Sequence, residues 1–533
     1  MRSTWWCITT CPPSTRPTCT APVGRLARAA AAPPSPCSCG TKNSKCASCS
    51  AGSACGCGCT TCSRTTSVST ISRRSRPAAT TPTAEIRFRR ARSDRYPCLP
   101  SGNLAAGTRP PESKAQDEGS AVDSARRASA PNDDAAAGPL PASGAWHPGL
   151  GAAERQFFDL SPDRPFTLEG GGLLHKPVLA YETWGALDAD ASNAVLVCHA
   201  LTGDAHAHGA AHPPAQITEG WWNDFIGPGR PLDTNRYFIV CANVLGGCQG
   251  STGPSSLNPS TGERYGPDFP VVTNRDVVRS QWALGRHLGI DRWLSVVGGS
   301  MGGMAVLEWG ITYPERVGSL VVIAASAEAS AQQIAWSKVG RQAIYDDPNF
   351  RGGRYYDAPD GDGPHRGLAN ARRIAMIHYR SGDEFDRRFA RHSEDPVLPL
   401  RLEQRFDVES YLDYQGAKFV PRFDANTYLV LNKMMDLHDV GRGRGGIDAA
   451  LARIVAPTMV MSVRTDFLYP RPQQLRIVEA LQGRGTVRVE HVDIDSDNGH
   501  DGFLTEPDQT GPPMGEFIDD IYKSDAGSAG GTR

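Results

Sequence analysis

The chain has 533 residues, room for about two to four domains of ordinary size, with 39% hydrophobic residues and a formal net charge of −1. That balance leaves no net basic field for nucleic acid or an anionic membrane surface. No uninterrupted apolar run approaches the ~20 residues that span a bilayer.

These averages blend two unlike parts. Residues 1–145 contain only 12 Val, Ile, Leu, Phe or Met, too few to offset the entropy of ordering a chain. No acidic residue precedes Glu85, so residues 1–84 carry +10 and the remainder carries −11. Twelve of the 15 cysteines lie between Cys7 and Cys98. The stretch 1–145 reads as a low-complexity, disordered extension, or as an upstream translated region outside the working protein. Cys46-x-x-Cys49 and Cys59-x-x-Cys62 have the spacing of a zinc clamp. Cys55 and Cys57 crowd them and no strand or helix signal frames them, so no metal site is expected. An acid-free, Arg- and Ser-rich start has the composition of a transit peptide, but its Pro and Cys argue against an amphipathic helix. Met1–Pro12 lacks the apolar region of a secretory signal. Cys198, Cys241 and Cys248 show no pairing pattern and suit a reducing cytoplasm.

From Phe157 the texture changes. Leu168–Tyr181 predicts a hairpin through Gly170-Gly171-Gly172. Ala194–Cys198, Tyr237–Cys241, Leu294–Val297, Leu320–Ile323, Thr458–Val463 and Val487–Val492 are short apolar runs. Such near-continuous runs mark parallel strands covered on both faces. Asn274 is placed to cap a helix over Asp276–Leu288, and Met304–Tyr313 predicts another, stopped by Pro314. Five further helices are expected over Ile334–Asp346, Gly367–Tyr379, Asp383–His392, Val408–Lys418 and Ala425–Asp436, interrupting the strand series. The fold class is α/β: a mostly parallel sheet built from residues 150–325 and 455–525, with residues 326–454 inserted as a helical cap.

Gly298-Gly299-Ser300-Met301-Gly302 falls between a predicted strand and a predicted helix. That is the context of a nucleophile elbow, where small neighbours permit a sharp turn and the helix N-terminus favours developing negative charge. In this architecture the acid and then the base follow the nucleophile in the chain. Asp466 follows the strand Thr458–Val463, and His500 lies in the loop after Val487–Val492. Ser300, Asp466 and His500 are therefore the candidate catalytic triad of an α/β-hydrolase fold. His491 lies inside a strand pattern and reads as packing. His199 precedes the acid in chain order and reads as structural. The oxyanion hole needs two N–H donors. Met301, after the nucleophile, is one, and Leu201, in the loop after Ala194–Cys198, is the candidate for the other. At this level esterases, peptidases, dehalogenases and acyltransferases remain open.

Longer motifs narrow the choice. His199–Gly203, the stretch Asn243–Pro254, Gly298–Gly303, Gly499–Leu504, Tyr181–Gly185 and Phe269–Asp276 together resemble the homoserine O-acyltransferases of the α/β-hydrolase superfamily, from about Phe166 to Ile521. The resemblance implies a ping-pong transfer of an acyl group from acyl-CoA through Ser300 to the hydroxyl of L-homoserine, in methionine biosynthesis, with no bound cofactor. It implies that Arg372 in the cap and Asp501 after the base hold the amino acid's carboxylate and ammonium, chemistry that a guanidinium and a carboxylate suit. Arg373 beside Arg372 is the competing choice. Family members that use succinyl-CoA carry an arginine two residues after the catalytic aspartate. Here that position is Leu468, so acetyl-CoA is the expected donor. Succinyl-CoA as donor or serine as acceptor is the alternative, and after these an esterase or thioesterase. A binding or scaffold protein would be expected to lack a triad member. The resemblance also implies a homodimer through the cap helices.

Overall fold

In a computed structural model of the chain, the described residues are 138–530, apart from 214–216, 394–401, 403 and 486. The possible zinc clamp, the transit-peptide composition and most of the low-complexity extension lie outside them.

The core is an eight-stranded sheet. Its strands are β1 (Gln156–Asp159), β2 (Val178–Trp184), β3 (Ala194–Cys198), β4 (Phe238–Ala242), β5 (Ser295–Gly299), β6 (Leu320–Ile323), β7 (Thr458–Val463) and β8 (Val489–Ile494). Their spatial order is β1-β2-β4-β3-β5-β6-β7-β8. β1 and β2 pair antiparallel with each other, β2 pairs antiparallel with β4, and the other pairings are parallel. Strands β3, β5, β6 and β7 are buried along their whole length, which is why their sequences run apolar rather than alternating. A separate two-residue pairing, Phe166–Thr167 with Leu173–Leu174, forms the hairpin over the Gly170–Gly172 turn. The second half of the predicted hairpin belongs instead to β2 in the main sheet.

Helices α1 (Asn274–His287) and α2 (Met301–Thr312) pack together beside the sheet. α1 is capped by Thr273 rather than by Asn274. The Thr273 hydroxyl accepts from the Asp276 N–H at 3.3 Å, and the Asp276 carboxylate accepts from the Thr273 N–H at 3.0 Å. The reciprocal bonds of this capping box outweigh a lone Asn. α2 starts at Met301, three residues before the predicted start, because β5 turns into it through Ser300 alone.

The insertion is helical: α3 (Ala331–Tyr345), α4 (His365–Tyr379), α5 (Gly382–Phe389), α6 (Asp407–Phe419) and α7 (Ala425–Asp436). The chain then returns to β7, α8 (Arg471–Gln482), β8 and α9 (Pro507–Gly530). Ser330, Ser381 and Asp424 cap α3, α5 and α7 by accepting from backbone N–H groups one turn on.

The boundary expected at residue 145 falls inside packed chain. Ala142 and Ala145 are buried against the core. The Ser143 hydroxyl donates to Asp424 Oδ1 at 2.7 Å, and the Gly144 N–H donates to the Phe423 carbonyl at 3.2 Å. The Gly361 N–H donates to the Leu140 carbonyl at 2.7 Å. This stretch therefore straps the cap, although its composition is that of the residues before it. A chain starting at residue 146 should be less stable than one starting at 138 by about 1–2 kcal/mol, the worth of those hydrogen bonds net of freed chain entropy. Paired thermal melts check this; equal midpoints would contradict it.

Candidate active site

Ser300 stands at the junction of β5 and α2 with φ 57° and ψ −123°, a conformation that a non-glycine residue rarely adopts. Its N–H donates to the Ile323 carbonyl at 2.9 Å and its carbonyl accepts from the Met304 N–H at 3.1 Å, so the strained turn is held at both ends. A Cβ at position 298 would lie 2.7 Å from the Gly302 carbonyl carbon and 2.8 Å from the Cys198 carbonyl oxygen. Only glycine lets the turn close against the neighbouring strand.

Three loops at the carboxyl ends of the strands bring Ser300, Asp466 and His500 together. The Ser300 hydroxyl donates to His500 Nε2 at 2.8 Å, and His500 Nδ1–H donates to Asp466 Oδ2 at 2.7 Å. Asp466 Oδ1 accepts from the Leu468 and Tyr469 N–H groups at 2.9 and 2.8 Å, which fixes the carboxylate. All three side chains are buried. Burial alone would push the His500 imidazole below its ordinary value. Asp466, with a smaller contribution from Asp501, overrides burial and raises it.

The Ser300 side chain opens onto a narrow cavity of about 30 Å³, room for roughly two waters. Leu201 and Leu468 line it from the core side, and Trp336, His378 and Tyr428 line it from the cap. Met301 begins α2, where its N–H has no acceptor within the helix. His199 does not point to the triad. Its Nδ1–H donates to the Ala200 carbonyl at 2.8 Å and its Nε2 accepts from the Val244 N–H at 3.1 Å. Burial lowers its pKa, so it stays neutral. His491 Nε2 shares a hydrogen bond with Ser462 Oγ at 2.7 Å, on the last two strands.

The structure separates the two neighbouring arginines of α4. Arg373 pairs with Asp413 at 2.9 Å. Arg372 lies over the rings of Phe419 and Tyr379, 5.2 and 5.7 Å from their centroids, with Nε and Nη1 buried and without a hydrogen-bond partner. Tyr379 lines the cavity, so Arg372 stands one ring behind its wall. Asp501 turns to Arg380, which the sequence reading missed, in an ion pair of 3.1 Å. His378, also missed, has its pKa pushed down to about 3 by burial and by the nearby charges of His500 and Arg372. Neither carries a motif; each is recognisable only from what surrounds it.

The base loop is locked to the cap. The Ser381 hydroxyl donates to the Asp497 carbonyl, and Arg387 pairs with the Asp497 carboxylate at 2.6 Å. Gly499 has φ 63°, and a Cβ there would lie 2.7 Å from the Tyr379 carbonyl oxygen and the Ser381 nitrogen.

Residues 193–507 match the family profile of the alpha/beta hydrolase fold. A homoserine O-acetyltransferase of Thermobifida fusca (strain YX) is 52% identical over 380 residues, covering 71% of this chain and 98% of that protein. One from Clavibacter michiganensis subsp. michiganensis is 50% identical over 379 residues, covering 71% and 96%. The chain belongs to the homoserine O-acetyltransferase family. Among solved structures, a homoserine O-acetyltransferase from Bacillus anthracis superposes with TM-score 0.63 at 29% identity, covering 68% of this chain and 97% of that one. Esterase E22 superposes with TM-score 0.62 at 27% identity, covering 68% and 99%. An acyltransferase and an esterase thus share this framework, and what separates them lies in the groups around the triad.

A base at His500 works only when neutral. Turnover should therefore fall as pH drops through a pKa above 6.5, because the Asp466 partner outweighs burial. Asp466→Asn removes the upward influence and leaves burial, so that limb should move to lower pH, with kcat reduced by about 10⁴-fold. A pH–rate profile of both proteins checks the sign. A limb that stays in place would show that another group titrates.

Proposed function

We propose that the chain transfers an acetyl group from acetyl-CoA to the hydroxyl of L-homoserine, as the names of its relatives indicate. In the first half, His500 takes the Ser300 proton and Oγ attacks the thioester carbonyl. The C–S bond breaks, the imidazolium returns its proton to the thiolate, and CoA leaves an acetyl-serine. In the second half, the homoserine hydroxyl gives its proton to His500 and attacks that ester. The C–Oγ bond breaks and Ser300 recovers the proton. Asp466 holds the imidazole and stabilises its charged form, and the Leu201 and Met301 N–H groups receive the oxyanion of each tetrahedral intermediate. The observation that carries the reading is the Ser300–His500–Asp466 hydrogen-bonded line. It opens on a narrow cavity in a chain that covers nearly all of a 52%-identical homoserine O-acetyltransferase.

A narrow cavity favours transfer over hydrolysis where the acceptor is well placed against the acyl-serine. Arg372 is the proposed partner of the homoserine carboxylate: a buried guanidinium with unbonded N–H groups suits an anion. Asp501, next to His500, is proposed to receive the ammonium. The reaction needs no metal and no bound cofactor. The proposed setting is the cytoplasm. The proposed assembly is a homodimer through the cap, where Ile334, Val339 and Tyr345 of α3 are exposed. Hydrolysis is the second reading, favoured by the likeness to esterase E22.

CoA release from acetyl-CoA, measured with and without L-homoserine, tests both. Release that depends on homoserine, with O-acetylhomoserine as product, is expected; release independent of it would favour the esterase. Ser300→Ala should abolish release and leave no acetyl-enzyme in the mass spectrum.

The donor preference has its own test. Leu468 is buried at 8% exposure on the cavity wall and offers a succinyl carboxylate no charge partner. Leu468→Arg should move the ratio of kcat/KM toward succinyl-CoA by about 10- to 100-fold, the worth of one charge-assisted hydrogen bond. The change should fall on the first half-reaction. A wild type that already uses both donors equally would show that position 468 does not set the choice.

A further inference from the structure

The loop that carries Leu201 is tethered from two sides. On the core side, His199 bonds to the Ala200 carbonyl and to the Val244 N–H, and the Gly203 N–H donates to the Ala200 carbonyl at 3.0 Å. On the other side the tether comes from the cap. Arg422 lies on the short turn Val420–Arg422 between α6 and α7, far along the chain from the loop. Its Nη1–H donates to the Thr202 carbonyl at 3.0 Å and its Nη2–H donates to Asp204 Oδ2 at 2.9 Å. The Arg422 carbonyl in turn accepts from Gln249 Nε2–H at 2.7 Å, so both ends of the residue are held.

Asp204 completes the clamp. It is 5% exposed, and its Oδ1 accepts from the His206 N–H at 2.8 Å. Burial would raise its pKa, but Arg422 and Arg155 override burial and keep it ionised. A buried carboxylate paired with the Arg422 guanidinium has a steep cost for displacement, because loss of that partner leaves a charge uncompensated. One planar fork thus grips the Thr202–Gly203 peptide, one residue past Leu201, and the side chain of Asp204 that follows the loop. A lysine ammonium lacks this planar, pre-organised fork.

We infer that Arg422 is a positioning residue for the oxyanion hole: the cap, through Arg422 and Asp204, sets where the Leu201 N–H points. This rests on the reading of Leu201 as an oxyanion donor. Residues of the cap then act on the chemistry in both half-reactions, since each passes through an oxyanion. The insertion thus becomes part of the catalytic framework as well as a cover.

The test uses the full chain carrying Arg422→Lys, and a second variant with Arg422→Gln and Asp204→Asn together, which removes both charges of the pair. Three quantities are read: kcat and KM with acetyl-CoA and homoserine, the Ki of a phenylalkyl trifluoromethyl ketone, and the Kd of CoA. The ketone forms a hemiketal on serine whose oxyanion reports the hole; CoA reports binding without it. The double variant should lose about 10- to 100-fold in kcat, somewhat less than removal of a whole oxyanion donor. The ketone should weaken in proportion, with homoserine KM and CoA Kd held within about twofold. Arg422→Lys should fall between it and wild type. A kcat retained in both variants overturns the inference. So does parallel weakening of the ketone and CoA, which would indicate general loosening. If the double variant does not fold, Arg422→Lys decides by the same ratio. A wild type that binds the ketone but acetylates no homoserine would overturn the acceptor reading and leave the clamp to be judged by the ketone alone.

Discussion

The hydrogen bond between Ser300 Oγ and His500 Nε2 joins positions 200 residues apart, and most of the molecule serves to keep that distance at 2.8 Å. A hydroxyl is a weak nucleophile at its ordinary pKa, so its chemistry depends on the base being in reach and in the right tautomer. The tautomer is set one residue further out. Asp466 accepts from Nδ1–H, which leaves Nε2 free to accept from Ser300. The carboxylate is oriented by two backbone N–H groups of its own loop. The line of support thus ends in backbone N–H groups that do no chemistry themselves.

Holding the nucleophile outward costs backbone strain, about 1–3 kcal/mol for a residue in such a conformation. The surroundings over-determine it. β5 is buried along its length, and eleven of the twelve residues of α2 are buried, so strand and helix cannot relax without opening the core. Gly298 and Gly302 let the turn press against the end of β3, the strand that leads into the loop bearing Leu201. The close approach that strains Ser300 therefore also draws the start of α2 against the strand leading to Leu201, the two segments that carry the proposed oxyanion donors.

The cap contributes more than a roof. It grips the base loop through Ser381, Arg387 and Arg380, and it meets the His199–Gly203 loop through Arg422. Aromatic rings from both halves surround the imidazole: Tyr379, Tyr469 and Phe503 lie within 5.1 to 5.8 Å of its ring centre. Such an apolar shell lowers the local dielectric, which strengthens the Asp466 contact and penalises stray charge. The same shell makes His378 a neutral group despite its place beside the triad.

Much of this was legible in the residues alone. Near-continuous apolar runs located the parallel strands because burial on both faces leaves no polar side to mark, and three of them matched to the residue. The glycines about Ser300 announced the elbow, because only a turn without Cβ atoms can be that tight. Chain order then pointed to Asp466 and His500. What the sequence could not express is contact between segments without local pattern. Arg372 and Arg373 are adjacent and chemically equal; only packing against Phe419 and Tyr379 sets one apart from the other. Residues 138–145 look like the low-complexity stretch before them, yet they pack because the cap presents Asp424 and the Phe423 carbonyl to them. Arg380 and Arg422 gain their roles from partners over a hundred residues away. Periodicity and turn chemistry are local and leave a trace in sequence; long-range hydrogen bonds and ion pairs exist only once the chain has closed on itself.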